Sequence, residues 1–410
     1  MYSKRFVIWL LLSFFYSYQY ALRVIPAISA NEIMMRLGLD AAQFGTFCGV
    51  YYIGYTAASI PLSIAIDRYN ARIVIVFTIA LVCFGMISLM TNNWYLAIIG
   101  RILTGIGSAG AILSLFKVIS VYFESKQSSK MLGIAVTIGL LGAIYGGKPL
   151  AILMSNIGFD STIQLLIAIG GCIAIAAYLL LPKKFASNNN ENISISAVVS
   201  DMKKIFQNKA LILLAVVGGL MVGPMEGFVD GWSVMTFKII HCWSDSDAIL
   251  APSMIFLGMC IGCSVIGIIT EKTQKYYSII GGSSLVMIVS FCWIIWGNSE
   301  EVQLMLAVLF IIGVVCAYQI VVMSKAALLA GKKLVTTGTA VANMIVMIFG
   351  SIYHSIIGNL IMRNNTLDGS VYSAGAIQSG IIPLLIGLVM AIMLLPLVVK
   401  FDKNIALDLN

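Results

Sequence analysis

The sequence predicts an all-α membrane protein: twelve transmembrane helices in two six-helix, pseudo-symmetric bundles. Three observations carry that expectation: an extreme apolar composition, twelve apolar runs of spanning length, and a loop pattern that recurs half a chain later. Of 410 residues, 60% are hydrophobic and only 10% charged, with a mean hydropathy of +0.99. A soluble domain carries about 25% charged residues, so that class is excluded. One spanning helix takes ~20 mostly apolar residues. Twelve spans use roughly 240 residues and leave short loops with no room for a sizeable soluble domain.

The runs lie at about 6–27, 43–66, 71–91, 95–121, 131–154, 162–181, 211–237, 248–269, 277–296, 302–326, 335–361 and 376–399. Lys4-Arg5, the apolar run behind it and Ala27-Ile28-Ser29 mimic a secretory signal with its cleavage site. Cleavage there would discard Arg23 and leave an odd number of spans, so the run is expected to stay as span one. With the amino terminus placed inside, seventeen basic residues fall on the cytoplasmic side and three, Arg36, Lys238 and Arg363, on the outer side. This positive-inside asymmetry places both termini in the cytoplasm. It also accounts for the net charge of +8 without a nucleic-acid partner.

The longest polar stretch, about Pro182 to Lys209, divides the chain into residues 1–182, a linker 183–210, and residues 211–410. Its Asn-rich piece, Ser187 to Asn192, is followed by Ile195, Val198, Val199, Met202 and Ile205 at helical spacing. Such an amphipathic helix either lies on the membrane surface with Lys203 and Lys204 upward or is a solvated connector. The two halves carry matching loops. Asp67-Arg68, with Arg72 close behind, follows span two, and Glu271-Lys272 follows span eight at an offset of 204 residues. Parallel repeats of six spans predict that match.

The eight cysteines imply no disulfide framework. Cys48, Cys83, Cys172, Cys260, Cys263, Cys292 and Cys316 fall in apolar runs, where a free thiol behaves as a small hydrophobe. Cys260-x-x-Cys263 has no second Cys pair or nearby His to complete a zinc site. His241 beside a loop and His354 in a span do not form a metal pair. No metal or cofactor is expected.

Asp67, Arg68 and Arg72, together with Arg101-x-x-x-Gly105-x-Gly107 in span four, resemble motifs of the major facilitator superfamily. Ser63, Asn70 and Ala71 depart from its loop pattern. A narrower likeness lies in span one, where Tyr16-Ser17-Tyr18-Gln19-Tyr20-Ala21-Leu22-Arg23-Val24-Ile25-Pro26 is similar to the aromatic-rich segment of the proteobacterial phagosomal nutrient transporters. Phe44 to Arg72 and Gly338 to Met344 fit that group too. The resemblance implies the major facilitator fold, a bacterial inner membrane, and uptake of amino acids or, in some members, nucleosides. It also implies that spans one, four, seven and ten line a cavity, and that the loops after spans two and eight hold the halves together at a cytoplasmic gate. On this reading Asp67, Arg68, Arg72, Glu271 and Lys272 are gate residues.

Charges inside a bilayer cost about 2.5–3.5 kcal/mol each on translocon scales and normally face water or a partner. Seven lie within spans: Arg23, Arg101, Lys117, Lys148, Lys325, Glu226 and Asp230, all on spans one, four, five, seven and ten. Arg23 offers a planar fork matched to a carboxylate or phosphate, with Tyr16, Gln19 and Tyr20 one or two turns before it. It lies ~27 Å along the helix from Arg5, which leaves a snorkelling residue at the rim as the competing reading. Arg101 is either a substrate contact or an interhelical anchor. Lys117 and Lys325 read as structural snorkels, whereas Lys148 suits an anion-handling cavity. Tyr318, Gln319 and Asn343 are candidate polar ligand contacts, each with an interhelical hydrogen bond as the alternative.

Glu226 and Asp230 share a face of span seven within a Gly/Pro-interrupted segment of the kind found near transporter sites. Two close carboxylates disfavour joint ionisation, so one is placed to hold a proton and couple transport. Pairing with a base as a gate, and a position at the outer rim, are the alternatives. The expected function is therefore proton symport of a small carboxylate-bearing metabolite, an amino acid first, by a monomer that meets only substrate, protons and lipid. Antiport of organic anions or sugar phosphates, and a non-transporting sensor, are the other readings. No His-Glu-x-x-His or Gly-x-Ser-x-Gly motif supports an enzyme.

Overall fold

The computed structural model describes residues 2–183, 195–297, 301–331, 334–366 and 372–408. Every regular element among them is helical. Nine helices are long and apolar enough to cross a membrane, or eleven when each of two bent pairs is one span. The remaining run of the twelve, span one, is a continuous helix, α1 (Tyr2–Ile28). The cluster from Tyr16 to Tyr20 and Arg23 hold its hydropathy below that of the others.

Two compact units divide the chain, Met1–Glu191 and Asn192–Asn410. In the first, α1 is followed by α2 (Ala30–Leu37), α3 (Ala41–Arg68), α4 (Ala71–Ile87), α5 (Trp94–Tyr122), α6 (Ser125–Tyr145), α7 (Lys148–Ile157) and α8 (Phe159–Leu180). Local chemistry sets these starts. Asp40 and Gln43 form a reciprocal capping box on α3, and Asn93 accepts from Leu96 N–H on α5; both satisfy donors that a helix start leaves unpaired. Arg36 on α2 is bound by Asp160 at the start of α8, one of the two contacts at 3.1 Å, and lies over the Phe159 ring.

α5 packs on α1, α3 and α4, because its glycines admit the neighbouring backbones. A Cβ on Gly105 would collide with the Tyr51 carbonyl of α3, and one on Gly107 with the Thr78 carbonyl of α4. Reciprocally, Gly54 on α3 takes the Ile102 carbonyl of α5. Span five is a bent pair, α6 and α7, turning by 41° at Gly146-Gly147.

The second unit runs α9 (Ile195–Gln207), α10 (Lys209–Leu220), a π-helical segment Gly223–Val229, α11 (Ser233–Ile239), α12 (Asp245–Ala248), α13 (Leu250–Thr273), α14 (Tyr276–Trp296), α15 (Val302–Cys316), α16 (Tyr318–Ala330), α17 (Val335–Asn364) and α18 (Ala374–Asp408). The glycine contact between α3 and α5 has a counterpart between α13 and α15. There Gly258 meets the Phe310 carbonyl and Gly313 the Ile255 carbonyl. Gly258 follows Gly54 by 204 residues, the same offset as the loop motifs.

The helix expected in the linker forms as α9, and it belongs to the second unit. It packs on α17, where Ile205 is buried against Gly338, while Lys203 and Lys204 are exposed. Asn208 then caps α10 and donates to the Leu329 carbonyl at 2.9 Å. The Asn-rich piece 187–192 lies outside the described residues.

Gly105→Ala should destabilise the first unit by about 1–3 kcal/mol, the usual cost of overpacking, since the obstacle is backbone and cannot rotate aside. Gly133→Ala, whose Cβ would meet nothing within 4 Å, serves as the control in a thermal-denaturation assay of detergent-purified protein.

Candidate functional site

In the first unit the structure draws the span-one candidates together with Arg101 and adds three aromatic residues of α3. Arg23 and Arg101 are 5% and 4% exposed. Arg101 Nη2 donates to the Arg23 carbonyl at 3.4 Å, which brings the two helices together at this level. The Arg23 guanidinium lies over the rings of Tyr20 and Tyr52, 5.3 and 5.4 Å from their centroids. Arg101 lies over Tyr51 and Phe47 at 4.8 and 5.6 Å. Tyr51 Oη donates to Gln19 Oε1 at 3.2 Å, and Tyr16 Oη to Tyr20 Oη at 3.5 Å. A guanidinium over an aromatic face gains cation–π attraction where water is excluded. Arg101 Nε is buried without a hydrogen-bond partner.

Span five enters at the same height. Gly139 on α6 takes the Tyr16 ring, Gly142 the Ser17 backbone, and a Cβ on Gly146 would lie 2.7 Å from Ala21 Cα. Residues about 125 apart in sequence are therefore level on α1 and α6, and that register carries Lys148, the first residue of α7, to the level of Arg23. Lys148 enters no ion pair or hydrogen bond among the described residues.

In the second unit Glu226 and Asp230 are 3% and 1% exposed, inside and immediately after the π-helical segment. The α10 helix and this segment meet at 42°. Tyr318, expected among the ligand contacts, is fully buried and gives its single O–H to the Gly218 carbonyl at 2.9 Å. It ties helices together and has no donor left for a ligand. Gln319 Nε2 is buried without a hydrogen-bond partner, and Asn343 is half-buried.

Of the expected gate residues, Asp67 and Arg72 have partners within the first unit. Asp67 pairs with Lys117 at 2.7 Å, and Arg72 donates from Nε to the Leu181 carbonyl at 2.7 Å while lying over Tyr178. Both interactions stay inside the first unit. In the second, Lys325, which follows Lys117 by 208 residues, pairs with Asp402 at 2.7 Å, and Tyr277 donates to the same carboxylate at 2.8 Å. Arg68, Glu271 and Lys272 are exposed and enter no ion pair among the described residues.

Phe47, Tyr51, Tyr52 and Tyr353 escaped the sequence reading. The signal for Phe47 and Tyr51 is present: Phe44, Phe47, Tyr51 and Tyr55 recur at intervals of three and four residues along span two. His354 is wholly buried on α17 beside Tyr353. No group of three or more His, Cys, Asp or Glu suited to a metal occurs among the described residues.

Comparison with known proteins places the chain. The family model described as Major Facilitator Superfamily matches residues 9–354. Among curated proteins, a probable anion transporter 6 from Oryza sativa subsp. japonica is 26% identical over 46% of this chain and 43% of its own. A probable L-galactonate transporter from Escherichia coli (strain K12) is 27% identical over 42% of this chain and 37% of its own. The alignments thus span about two fifths of those relatives. Among solved structures, a bacterial homolog of the human lysosomal transporter Spinster, inward-facing and unoccupied, superposes with a TM-score of 0.78 at 16% identity, covering 98% of both chains. The nucleoside transporter NupG gives 0.72 at 13% identity, covering 97% of this chain and 99% of its own. These likenesses establish the fold.

The loop beyond α11 yields a pH prediction. His241 stacks on Phe237, which stacks on Trp243, and His241 Nε2 bonds the Ile294 carbonyl at 2.8 Å. Burial holds the imidazole below its ordinary value of 6.5, against the opposing pull of that bond. The unfolded loop therefore binds protons more readily, and stability falls as pH drops below about 6.5. Trp243 fluorescence should shift on acidification from about pH 7.5 to 5, and His241→Phe should remove the shift.

Proposed function

Because the chain belongs to the major facilitator superfamily, we propose that it is a secondary active transporter, not an enzyme, that imports a small, polar, carboxylate-bearing metabolite by alternating access. The observation that supports this reading is the pair Arg23 and Arg101, two nearly inaccessible guanidiniums set over aromatic rings, with Arg101 donating to the Arg23 backbone carbonyl. A guanidinium cannot discharge at working pH, and its N–H donors lie in its plane. A ring over its face leaves the edge as the direction in which a carboxylate docks with two parallel hydrogen bonds. Tyr16, Gln19, Tyr20, Tyr51 and Tyr52 supply a wall with apolar bodies and polar tips, suited to a small amphipathic solute.

The curated relatives named for an anion and for L-galactonate support a carboxylate. The span-one likeness to the phagosomal nutrient transporters supports an amino acid within that class. Glu226 and Asp230 are the proposed proton-coupling pair, one carboxylate holding a proton that the other's charge disfavours releasing. Gln319 and Asn343 remain proposed ligand contacts. The membrane is proposed to be a bacterial inner membrane with both termini cytoplasmic, and the working unit a monomer.

Antiport of an organic anion or sugar phosphate is the second reading. The level of Lys148 favours it, since a third cation at the height of Arg23 suits a doubly charged ligand. Purified protein in liposomes decides. Symport predicts accumulation of a carboxylate when the lumen is alkaline, whereas antiport predicts counterflow without proton movement. Binding without flux would instead make the protein a sensor, and failure across amino acids, sugar acids, nucleosides and phosphate esters would remove the proposal.

Arg23→Ala and Arg23→Lys should abolish uptake with the folded protein still in the membrane. Arg101→Gln should raise KM about ten- to a hundredfold, the worth of a charged hydrogen bond. Glu226→Gln should abolish gradient-driven accumulation while sparing counterflow, and unchanged accumulation in that variant would reject the coupling assignment.

A further inference from the structure

Between Leu220 and Trp232 the α-helical hydrogen-bond pattern of span seven is interrupted by the π-helical segment, with i to i+4 bonds kept only from Glu226 N–H to the Val222 carbonyl and from Trp232 N–H to the Phe228 carbonyl among the bonds at its ends, both at 2.9 Å. In an α-helix the carbonyl of residue i receives the N–H of residue i+4. For Leu220 that residue is Pro224, which has no N–H to give. For Gly218 it is Val222, whose N–H turns instead to the Gly219 carbonyl at 3.2 Å. Two carbonyls thus lose their helical donors immediately before the π-helical segment. A buried carbonyl left unpaired is destabilising, so each needs a donor from elsewhere in the protein.

Each receives a tyrosine hydroxyl from another helix. Tyr353 of α17 donates to the Leu220 carbonyl at 2.6 Å, and Tyr318 of α16 to the Gly218 carbonyl at 2.9 Å. Their exposures are 4% and 0%. Three glycines make room for Tyr353. A Cβ on Gly223 or Gly227 would lie 3.0 or 2.6 Å from its side chain, and one on Gly387 of α18 would collide with its hydroxyl. Glu226 lies inside the segment held this way, and Asp230 directly follows it.

We propose that Tyr353, assisted by Tyr318, is a positioning residue for Glu226 and Asp230: the two hydroxyls hold the π-helical turn in register and so set the direction in which the carboxylates point. A π turn carries one more residue than an α turn. Relaxation to α geometry would rotate the residues beyond it by roughly 100°. The proposal rests on the reading of these carboxylates as the coupling pair, and its test separates the two.

Tyr353→Phe keeps the ring between the glycines and removes only the hydroxyl. In proteoliposomes its gradient-driven accumulation should fall about three- to tenfold, the factor one such hydrogen bond is worth, while counterflow at equal pH stays unchanged. In detergent, backbone amide hydrogen exchange over Met225 to Trp232 should quicken by a similar factor. Tyr318→Phe should act in the same direction and carries the test if Tyr353→Phe does not reach the membrane. Exchange equal to that of the unaltered protein overturns the proposal, as does faster exchange with undiminished accumulation. If the unaltered protein accumulates nothing on a pH gradient, the coupling reading has failed. Hydrogen exchange then still decides the clamp, with quickened exchange supporting it and equal exchange refuting it.

Discussion

The cost of an ionised side chain away from water governs the placement of every charge on the spans. Where a charge serves the fold, an acid answers it within the same unit. Lys117 of α5 in the first unit and Lys325 of α16 in the second each hold a carboxylate at 2.7 Å. Arg101 is treated differently: its guanidinium is nearly inaccessible, faces two aromatic rings, and enters no ion pair among the described residues. Cation–π contact offsets part of the desolvation without neutralising the charge. The contrast separates a charge answered by an acid from one that meets aromatic rings and no acid among the described residues.

Backbone proximity makes that arrangement possible. Arg101 reaches the α3 aromatics because Gly54 and Gly105 let α3 and α5 approach closely, and Tyr16, Ser17 and Ala21 meet span five because Gly139, Gly142 and Gly146 do the same for α1 and α6. Small residues take this role in membrane helices because association there depends on van der Waals packing more than on apolar burial. The repetition of the glycine contact in α13 and α15 shows that the device belongs to the repeat unit, and the charges have been added to it differently in the two halves.

Helix breaks mark the places where the candidate side chains sit. Span five bends at Gly146-Gly147, against Ala21 of α1, and span seven passes through a π-helical turn at Glu226. Span ten is interrupted at Ala317, next to the tyrosine that reaches span seven. Backbone freed from regular hydrogen bonding in a membrane must find partners inside the protein. In span seven those partners are tyrosine hydroxyls from two other helices, and this couples the geometry of the carboxylates to α16 and α17.

Composition, periodicity and loop charge determined the membrane class, the run of spans and the two-part division, because each follows from short-range pattern and from the thickness of a bilayer, whereas the superfamily came from the resemblance of the loop and span-four motifs. They also singled out Arg23, Arg101, Glu226 and Asp230, since an ionisable residue in an apolar run is conspicuous whatever the fold. Which neighbours those residues meet was decided only in three dimensions. Phe47, Tyr51 and Tyr52 lie on a different helix from the arginines they face, and apolar runs look alike from every side until packing selects one. The same holds for Asp67, whose partner proved to be Lys117 in its own unit, and for Tyr318, whose hydroxyl went to a backbone carbonyl. Pro224 announces a missing donor in the sequence, but the residue that replaces it, Tyr353, lies 129 positions away, and only tertiary packing brings the hydroxyl to the carbonyl.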